Sequence, residues 1–473
     1  MSLGTMRTVA VLGGGIGGLA ASYYLCKSPQ VTKLIVLESS SRFGGWLWST
    51  RRSDGAVFEH GPRGIRPTGA VGCNTLNMVD DLGLARDILP VTSSHVASRS
   101  RYVYVAGQLH RLPSGLSGLL RTFPPFSRPL LFNVAKEIFT RKGTGADESV
   151  HSFVSRRLGK ELADIAADSL CRGVFAGDCR KLSVRSCFPF LFEAEQRRGR
   201  CTTGFPTLPD DHLNCRSIRE SWAQWSLRTG VETLPEAITE FLQQSGRAQL
   251  HKDAAVQHIT PSTSGWKIYM EDGVISADHI ISALPAKALC SALPSSCHSL
   301  IWELQNMSTA TVAVVNLEYD GSILSMRGFG HLIPSSEDPG LLGVVYDSDF
   351  FPQHNRPSGQ TTRLTIMLGG AWFQEVFGDP EHVKEESLLT KATEAVRYHL
   401  GVTATPSWSR VSVQKDCIPQ YYQGHFQRVG NRSFIKEKNL SLSLIGSSYD
   451  GVSVNDVIFS GRTAVQDLLG GGI

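Results

Sequence analysis

The first strong signal along the chain is a change of hydrophobic period. Thr8–Leu12 (TVAVL) is a β-branched apolar run that predicts a buried strand, and Gly13, Gly14, Gly15, Ile16, Gly17 and Gly18 follow it at once. Residues 19–25 (LAASYYL) are apolar throughout, as a buried helix requires. Lys33–Leu37 predicts a second strand, which ends in Glu38, twenty residues past Gly18. At the other end of the chain, 440–445 (LSLSLI) alternates as a strand does, 446–451 (GSSYDG) is turn-forming, and 452–469 predicts a closing helix. Between the two ends, 278–286 (DHIISALPA) predicts a strand that runs into a proline turn, with 254–259 before it.

Strand, glycine turn and helix in that order bring backbone close to a phosphate. Gly13 and Gly15 suit the tight turn, Gly18 lets the helix pack on the strand, and the helix N-terminus aims N–H groups at the anion. Glu38 at the end of the second strand is placed to accept ribose hydroxyls. An unliganded glycine turn would not need that second strand and carboxylate, so dinucleotide binding is the expectation.

Composition narrows the class. The 47 Lys and Arg against 43 Asp and Glu leave a net charge of +4, too little over 473 residues for a nucleic-acid footprint, and no nucleic-acid partner is expected. With 41% hydrophobic residues the chain can build large cores, and its length suggests about three structural units. The 10 Cys include no CxxC, and Cys171, Cys179 and Cys187 are spaced too widely for zinc pairs, so the expectation is reduced structural thiols and no metal. No run of about 18 uncharged apolar residues predicts a spanning helix. With seven residues before Thr8 no cleaved secretory signal is expected, and on that expectation the N-x-S triplets at Asn306, Asn431 and Asn439 carry little weight.

After Glu38 the chain reads SSSRFGGWLWST, with Ser39, Arg42, the Gly44–Gly45 pair and Trp46. This resembles the RxGG motif of the flavin amine oxidase superfamily. The resemblance implies one non-covalent FAD per chain. Its flavin end would reach toward Gly61, Pro62, Arg63 and Gly64, its adenine side would meet Val256, and its pyrimidine edge would face Ser447, Val452, Ser453 and Val454. Five further stretches, 58–67 (FEHGPRGIRP), 168–176 (DSLCRGVFA), 328–340 (GFGHLIPSSEDPG), 417–425 (CIPQYYQGH) and 446–455 (GSSYDGVSVN), resemble the animal protoporphyrinogen oxidases.

That family implies an α/β (α+β) chain with a discontinuous Rossmann-like FAD domain of the p-hydroxybenzoate-hydroxylase type. The expected division is FAD binding in 1–95, 214–288 and 433–473, a helical membrane-binding domain in 96–213 and a substrate domain in 289–432. It implies six-electron oxidation of protoporphyrinogen IX by oxygen, with peroxide released, in the penultimate step of haem synthesis. Hydride leaves a meso carbon for the flavin, so no acid/base residue is assigned. Matching positions assign Arg101 to a propionate, Phe329 and Leu332 to a pyrrole sandwich, Met367 to the wall, the Gly173 carbonyl to a pyrrole N–H, and Arg63 to the flavin side. The family also implies a homodimer docked peripherally on the mitochondrial inner membrane, on the intermembrane-space side, where ferrochelatase could take the product. Residues 116–139, rich in Leu and Phe with scattered Arg and Lys, are the expected lipid-seated segment, although a core helix pair would give the same pattern.

Two departures stand out. Residues 193–221 are polar and short where the family is Leu- and Gly-rich, which would loosen the pocket edge or membrane contact, and Thr229 stands where it prefers glycine. Three rival readings have weaker support. Flavin amine oxidases would show an amine cage or covalent-flavin Cys. Coproporphyrinogen III oxidases would need more cations for four carboxylates. GDP-dissociation-inhibitor-like binders would not need Glu38 and Arg42.

Overall fold

The protein was analysed as a computed structural model, which describes residues 8–113, 120–198, 212–430 and 433–470. Five all-parallel strands form its first sheet, in the order Leu442–Leu444, His279–Ser282, Thr8–Leu12, Lys33–Leu37 and Ala248–His251. Thr8–Leu12 lies at the centre, its last four residues buried, as expected for a strand covered on both faces. The glycine-led helix Ile16–Lys27 is buried from Ile16 to Cys26, which its all-round apolar sequence permits. It packs against the closing helix Val454–Leu469, where Gly461 brings the two backbones together, and against Thr233–Gln244. The other face of the sheet is covered by the antiparallel strands Val256–Ser262, Gly265–Met270 and Gly273–Ala277 and by the helices Ala286–Ala292 and His298–Gln305. The two chain ends therefore fold into one unit.

A second, mixed sheet has seven strands, ordered Trp408–Pro419, Thr309–Asp320, Thr361–Gly370, Leu341–Val345, Gly330–Leu332, Arg101–Val105 and Gln108–Arg111. The hairpin at 101–111 thus joins strands more than two hundred residues later, with Arg101 opposite Gly330 and Val103 opposite Leu332 in parallel register. Helix Glu385–Leu400 seals one face. The strands Gly330–Leu332 and Leu341–Val345 also meet helix Asp168–Phe175, which belongs to a cluster of helices between 130 and 198 with its own small core around Phe153, Phe175 and Leu182. In that cluster Arg157 is buried between Glu137 (3.1 Å) and Glu195 (3.0 Å).

The departing segment 193–221 is partly structural. Glu195 is buried in the Arg157 pair, and helix His212–Arg219 adds Leu213 to the FAD-side core. Residues 199–211 and 116–119 lie outside the described residues.

Candidate functional site

The site begins at the first glycine turn. Gly13 has φ +96° and donates its N–H to the Leu37 carbonyl at 2.8 Å, tying the turn to the second strand. A Cβ on Gly14 would come within 2.9 Å of Glu38 Cβ, and one on Gly18 would overlap the Gly13 carbonyl oxygen. Gly15 differs: a Cβ there would meet only Gly45 Cα, at 3.8 Å. The space in front of Gly15, at the N-cap of Ile16–Lys27, is therefore open, as a phosphate cradle must be. Glu38 accepts from Gly14 N–H (2.7 Å) with Oε2 and from Ser40 N–H (2.9 Å) with an exposed Oε1, beside Ser39. Backbone N–H groups of Asp253 and Ala254 donate to the Ser40 and Glu38 carbonyls, which ties the segment leading into Val256 to the end of the second strand.

The second glycine turn closes over the first. Gly44 N–H donates to the Gly14 carbonyl (2.9 Å), and Gly45 takes φ +57° with room for little beyond hydrogen at Gly15 Cα. Arg42 fixes this turn, donating to the carbonyls of Phe43, Gly45 and Leu47 and pairing with Glu232 at 3.2 Å. Trp46 next to it is 40% exposed. Its carbonyl presses on Gly61, whose missing side chain allows the contact.

The third turn, Gly61 to Gly64 with Pro62 inside it, docks on the second sheet. Arg63 is buried and pairs with Asp347 Oδ1 at 2.7 Å, while Thr365 donates to Asp347 Oδ2 at 2.6 Å. Gly64 lies against Phe350, a turn further along the same short helix Asp347–Phe350. Asp347 and Phe350 had no signal in the sequence, since nothing local links them to residues 284 and more positions earlier.

On the second sheet, the expected substrate residues are neighbours. Leu332 touches the Gly173 position of helix Asp168–Phe175 and, with Met367, flanks Gly343. Phe329 stacks edge-on to Phe350 at 4.8 Å, and the Arg101 guanidinium lies over Phe329 at 5.8 Å. Burial and the charge of Arg66 hold Arg101 below the usual arginine range. Leu170 and Val174, on the Gly173 helix, are 44% and 43% exposed although apolar, and the sequence reading missed both. Their spacing of four on a helix with a polar opposite face was the available signal.

At the C-terminal corner Ser453 caps helix Val454–Leu469, accepting from Asp456 N–H while Asp456 accepts from Ser453 N–H. Val452 lies just before this cap. The Ser447 carbonyl receives the Tyr421 hydroxyl, which itself accepts Gly451 N–H at 2.9 Å. The corner is thus braced from the second sheet.

Comparison with known proteins agrees with this geometry. The flavin-containing amine oxidoreductase model matches residues 16–469. The chain belongs to the flavin-containing amine oxidoreductase family. It is 47% identical to human protoporphyrinogen oxidase over 472 residues, covering 98% of each chain, and 48% identical to the bovine enzyme over the same span. Cyclohexylamine oxidase from Brevibacterium oxydans IH-35A shares the fold, with a TM-score of 0.67 at 16% identity over 98% of this chain and 99% of that one.

As a flavoprotein of this family the chain takes FAD, and its residues fit the cofactor: the open space before Gly15, the Glu38 carboxylate and the capped closing helix lie in one unit. Thr229, where the resemblance implies glycine, is unstrained. Its φ is not positive, and its hydroxyl bonds Thr233 at 2.7 Å. Two buried groups nearby have shifted ionisation. Burial pushes Glu59 up to about 7 despite hydrogen bonds from Ser49 and Val231 N–H, and burial with the Arg410 charge brings His60 down to about 4. The nine described cysteines are free. Burial pushes the Cys171, Cys179 and Cys187 thiols up, which disfavours the thiolates a soft metal would need.

Proposed function

We propose that the protein oxidises protoporphyrinogen IX to protoporphyrin IX with oxygen as electron acceptor and peroxide as second product. The observation that carries this reading is near-half identity to the human enzyme across the whole of both chains. The arrangement of the second sheet supports it: an apolar surface of Gly173, Leu332, Phe329 and Met367 suits a broad pyrrolic disc, and Arg101 at its edge suits a propionate. FAD, when bound, supplies the hydride acceptor. The chain's own part is to bind and orient: the Arg63–Asp347 pair joins the cofactor turn to the substrate sheet and so would hold the two in fixed register when cofactor and substrate are bound. The Gly173 carbonyl accepts a pyrrole N–H in this reading, and no side chain is assigned as a base.

The chain's organisation is read as an FAD unit of 1–95, 214–288 and 433–473, a substrate unit of 289–432 and a membrane-facing helical unit of 96–213, whose 101–111 hairpin lends two strands to the substrate sheet. The helical unit exposes Leu120 (64%), Phe132 (66%) and Phe190 (66%), more than a water-facing helix cluster needs. That supports peripheral seating on a lipid surface, which the kinship with the animal enzymes makes the mitochondrial inner membrane; the side facing the intermembrane space and hand-over of an insoluble product to lipid or ferrochelatase complete the proposal. No described helix is long and apolar enough to cross a membrane. A homodimer completes the reading by default symmetry.

The test is an aerobic assay of purified yellow protein with protoporphyrinogen IX, following porphyrin fluorescence and peroxide above the autoxidation blank. Enzyme-dependent porphyrin with matching peroxide is expected. Bound flavin with no turnover of this substrate would overturn the assignment.

A further inference from the structure

A single hydroxyl closes the C-terminal corner. Tyr421, 2% exposed, donates its O–H to the Ser447 carbonyl and accepts Gly451 N–H at 2.9 Å, so one oxygen ties the two ends of the 447–451 turn together. A carbonyl only accepts and an N–H only donates, so this position calls for a group that does both through one atom, as a hydroxyl does. Burial holds the phenol well above its ordinary ionisation range, which keeps the donated proton in place. The turn's other side-chain ties come from its own unit: Ser460 of the closing helix accepts Gly446 N–H at 3.1 Å, and Ser448 accepts Ala286 N–H at 3.2 Å. Tyr421 reaches it from outside, just past the second-sheet strand Trp408–Pro419.

The backbone that carries Tyr421 is anchored on the helix cluster. Ser183 N–H donates to the Tyr421 carbonyl at 2.8 Å, and Leu182 bridges Tyr422 in antiparallel register. The preceding Gln420, also buried, donates from Nε2 to the carbonyl of Phe175 at 2.8 Å, and Phe175 ends the helix that carries Gly173. The Tyr421 ring stacks on His425 with centroids 4.1 Å apart and planes 14° from parallel, and Phe175 flanks it at 6.4 Å. Val452, next after the turn, packs against the same small core. A ring held on its face and at its base makes its hydroxyl a fixed point, and that point joins the Gly173 helix to the turn before the closing helix.

We propose that Tyr421 is a positioning residue for the cofactor: by closing the 447–451 turn from the Gly173 side, its hydroxyl holds the capped N-terminus of helix Val454–Leu469 against the flavin's pyrimidine edge. This rests on the placement of that edge beside Ser447 and residues 452–454. Reduction adds negative charge to the pyrimidine ring, and a helix N-terminus stabilises such charge only within about its first turn. A corner released from Tyr421 therefore weakens binding of reduced flavin more than of oxidised flavin, and the potential falls. The same hydroxyl keeps the corner in register with the Gly173 carbonyl, where the substrate reading puts a pyrrole N–H.

The experiment uses detergent-dispersed holoenzyme, wild type, Tyr421→Phe and Ser453→Ala, and measures FAD affinity, the visible flavin spectrum, the midpoint potential against a reference dye, and thermal unfolding. Tyr421→Phe keeps the ring and its stack and removes only the hydroxyl. It is expected to weaken FAD about three- to tenfold, to shift the flavin bands, and to lower the potential by up to about 30 mV, the equivalent of a further tenfold against the reduced form. Ser453→Ala, which uncaps the helix directly, should move the same three readouts. Wild-type flavin properties in Tyr421→Phe beside altered ones in Ser453→Ala would overturn the role of Tyr421 and keep the flavin edge where it is placed. Wild-type flavin properties in both variants would remove the corner from the flavin, and the proposal with it. A lower melting temperature in Tyr421→Phe as its sole change would make the residue structural and also overturn the proposal. None of these readouts uses a porphyrinogen, so a failure of the substrate assignment shows separately in the turnover assay.

Discussion

Two glycines of the first turn look alike in sequence and do different work, which makes them a sharp pair of perturbations. At Gly15 the backbone is extended (φ −70°, ψ 176°) and an added Cβ touches only Gly45 Cα at 3.8 Å, an ordinary contact. The protein without cofactor should therefore accept Gly15→Ala at a cost of about 1 kcal/mol or less, the usual range for an N-cap change. With FAD present the new methyl occupies the space assigned to a phosphate oxygen. Losing one charge-assisted hydrogen bond costs about 1.5–3 kcal/mol, so FAD affinity should fall on the order of ten- to a hundredfold, and further for Gly15→Val. Gly18→Ala is the opposite case. Its Cβ would overlap the Gly13 carbonyl oxygen and approach Val11 Cγ1 to 3.2 Å, so the helix must lift from the strand whether or not FAD is bound. Overpacking of that kind costs about 1–3 kcal/mol or more in stability. The assay is thermal unfolding of each variant at zero and saturating FAD, with flavin-to-protein ratio from absorbance. Gly15→Ala should melt like wild type without FAD and gain less from it, since a hundredfold loss of affinity removes about 2.7 kcal/mol of ligand stabilisation. Gly18→Ala should melt lower without FAD. Wild-type flavin affinity in Gly15→Val would refute the cradle, and an unchanged melt in flavin-free Gly18→Ala would refute the packing.

Three other outcomes are expected. Asp347→Asn leaves the Arg63 charge buried without its counter-ion and should cost about 3–5 kcal/mol in chemical unfolding, while Arg63→Met with Asp347→Leu should recover much of that. Glu59, raised by burial to about 7 from 4.5, destabilises the fold when ionised: the folded state holds its proton more tightly, so this group's contribution improves as pH falls from about 7 toward 4.5. Glu59→Gln should therefore stabilise the protein at pH 8, by up to about 3 kcal/mol, and lose that advantage by pH 5, as read from melting curves across pH. Phe132→Glu, on an exposed position of helix Leu130–Phe139, should reduce flotation with anionic vesicles and leave kcat in detergent unchanged; undiminished flotation would remove that helix from the lipid contact.

What the sequence made legible was what is local. The strand, turn and helix at 8–27, the carboxylate at Glu38, the strand at His279–Ser282 and the closing helix with its Ser453 cap each carry their signal within a few residues, because turn geometry and hydrophobic period are set there. Arg42 and the double glycine were legible only by resemblance, and their physical task emerged from carbonyls three to five residues away and from Glu232, 190 positions on.

The pieces that escaped the sequence share one property: their meaning depends on a distant partner. Arg63 carries no sign of Asp347, and the 101–111 hairpin, an amphipathic pair of short strands, could have closed on itself. It joins the second sheet because Gly330 and Leu332 offer an edge in parallel register, and only that pairing places Arg101 beside Phe329.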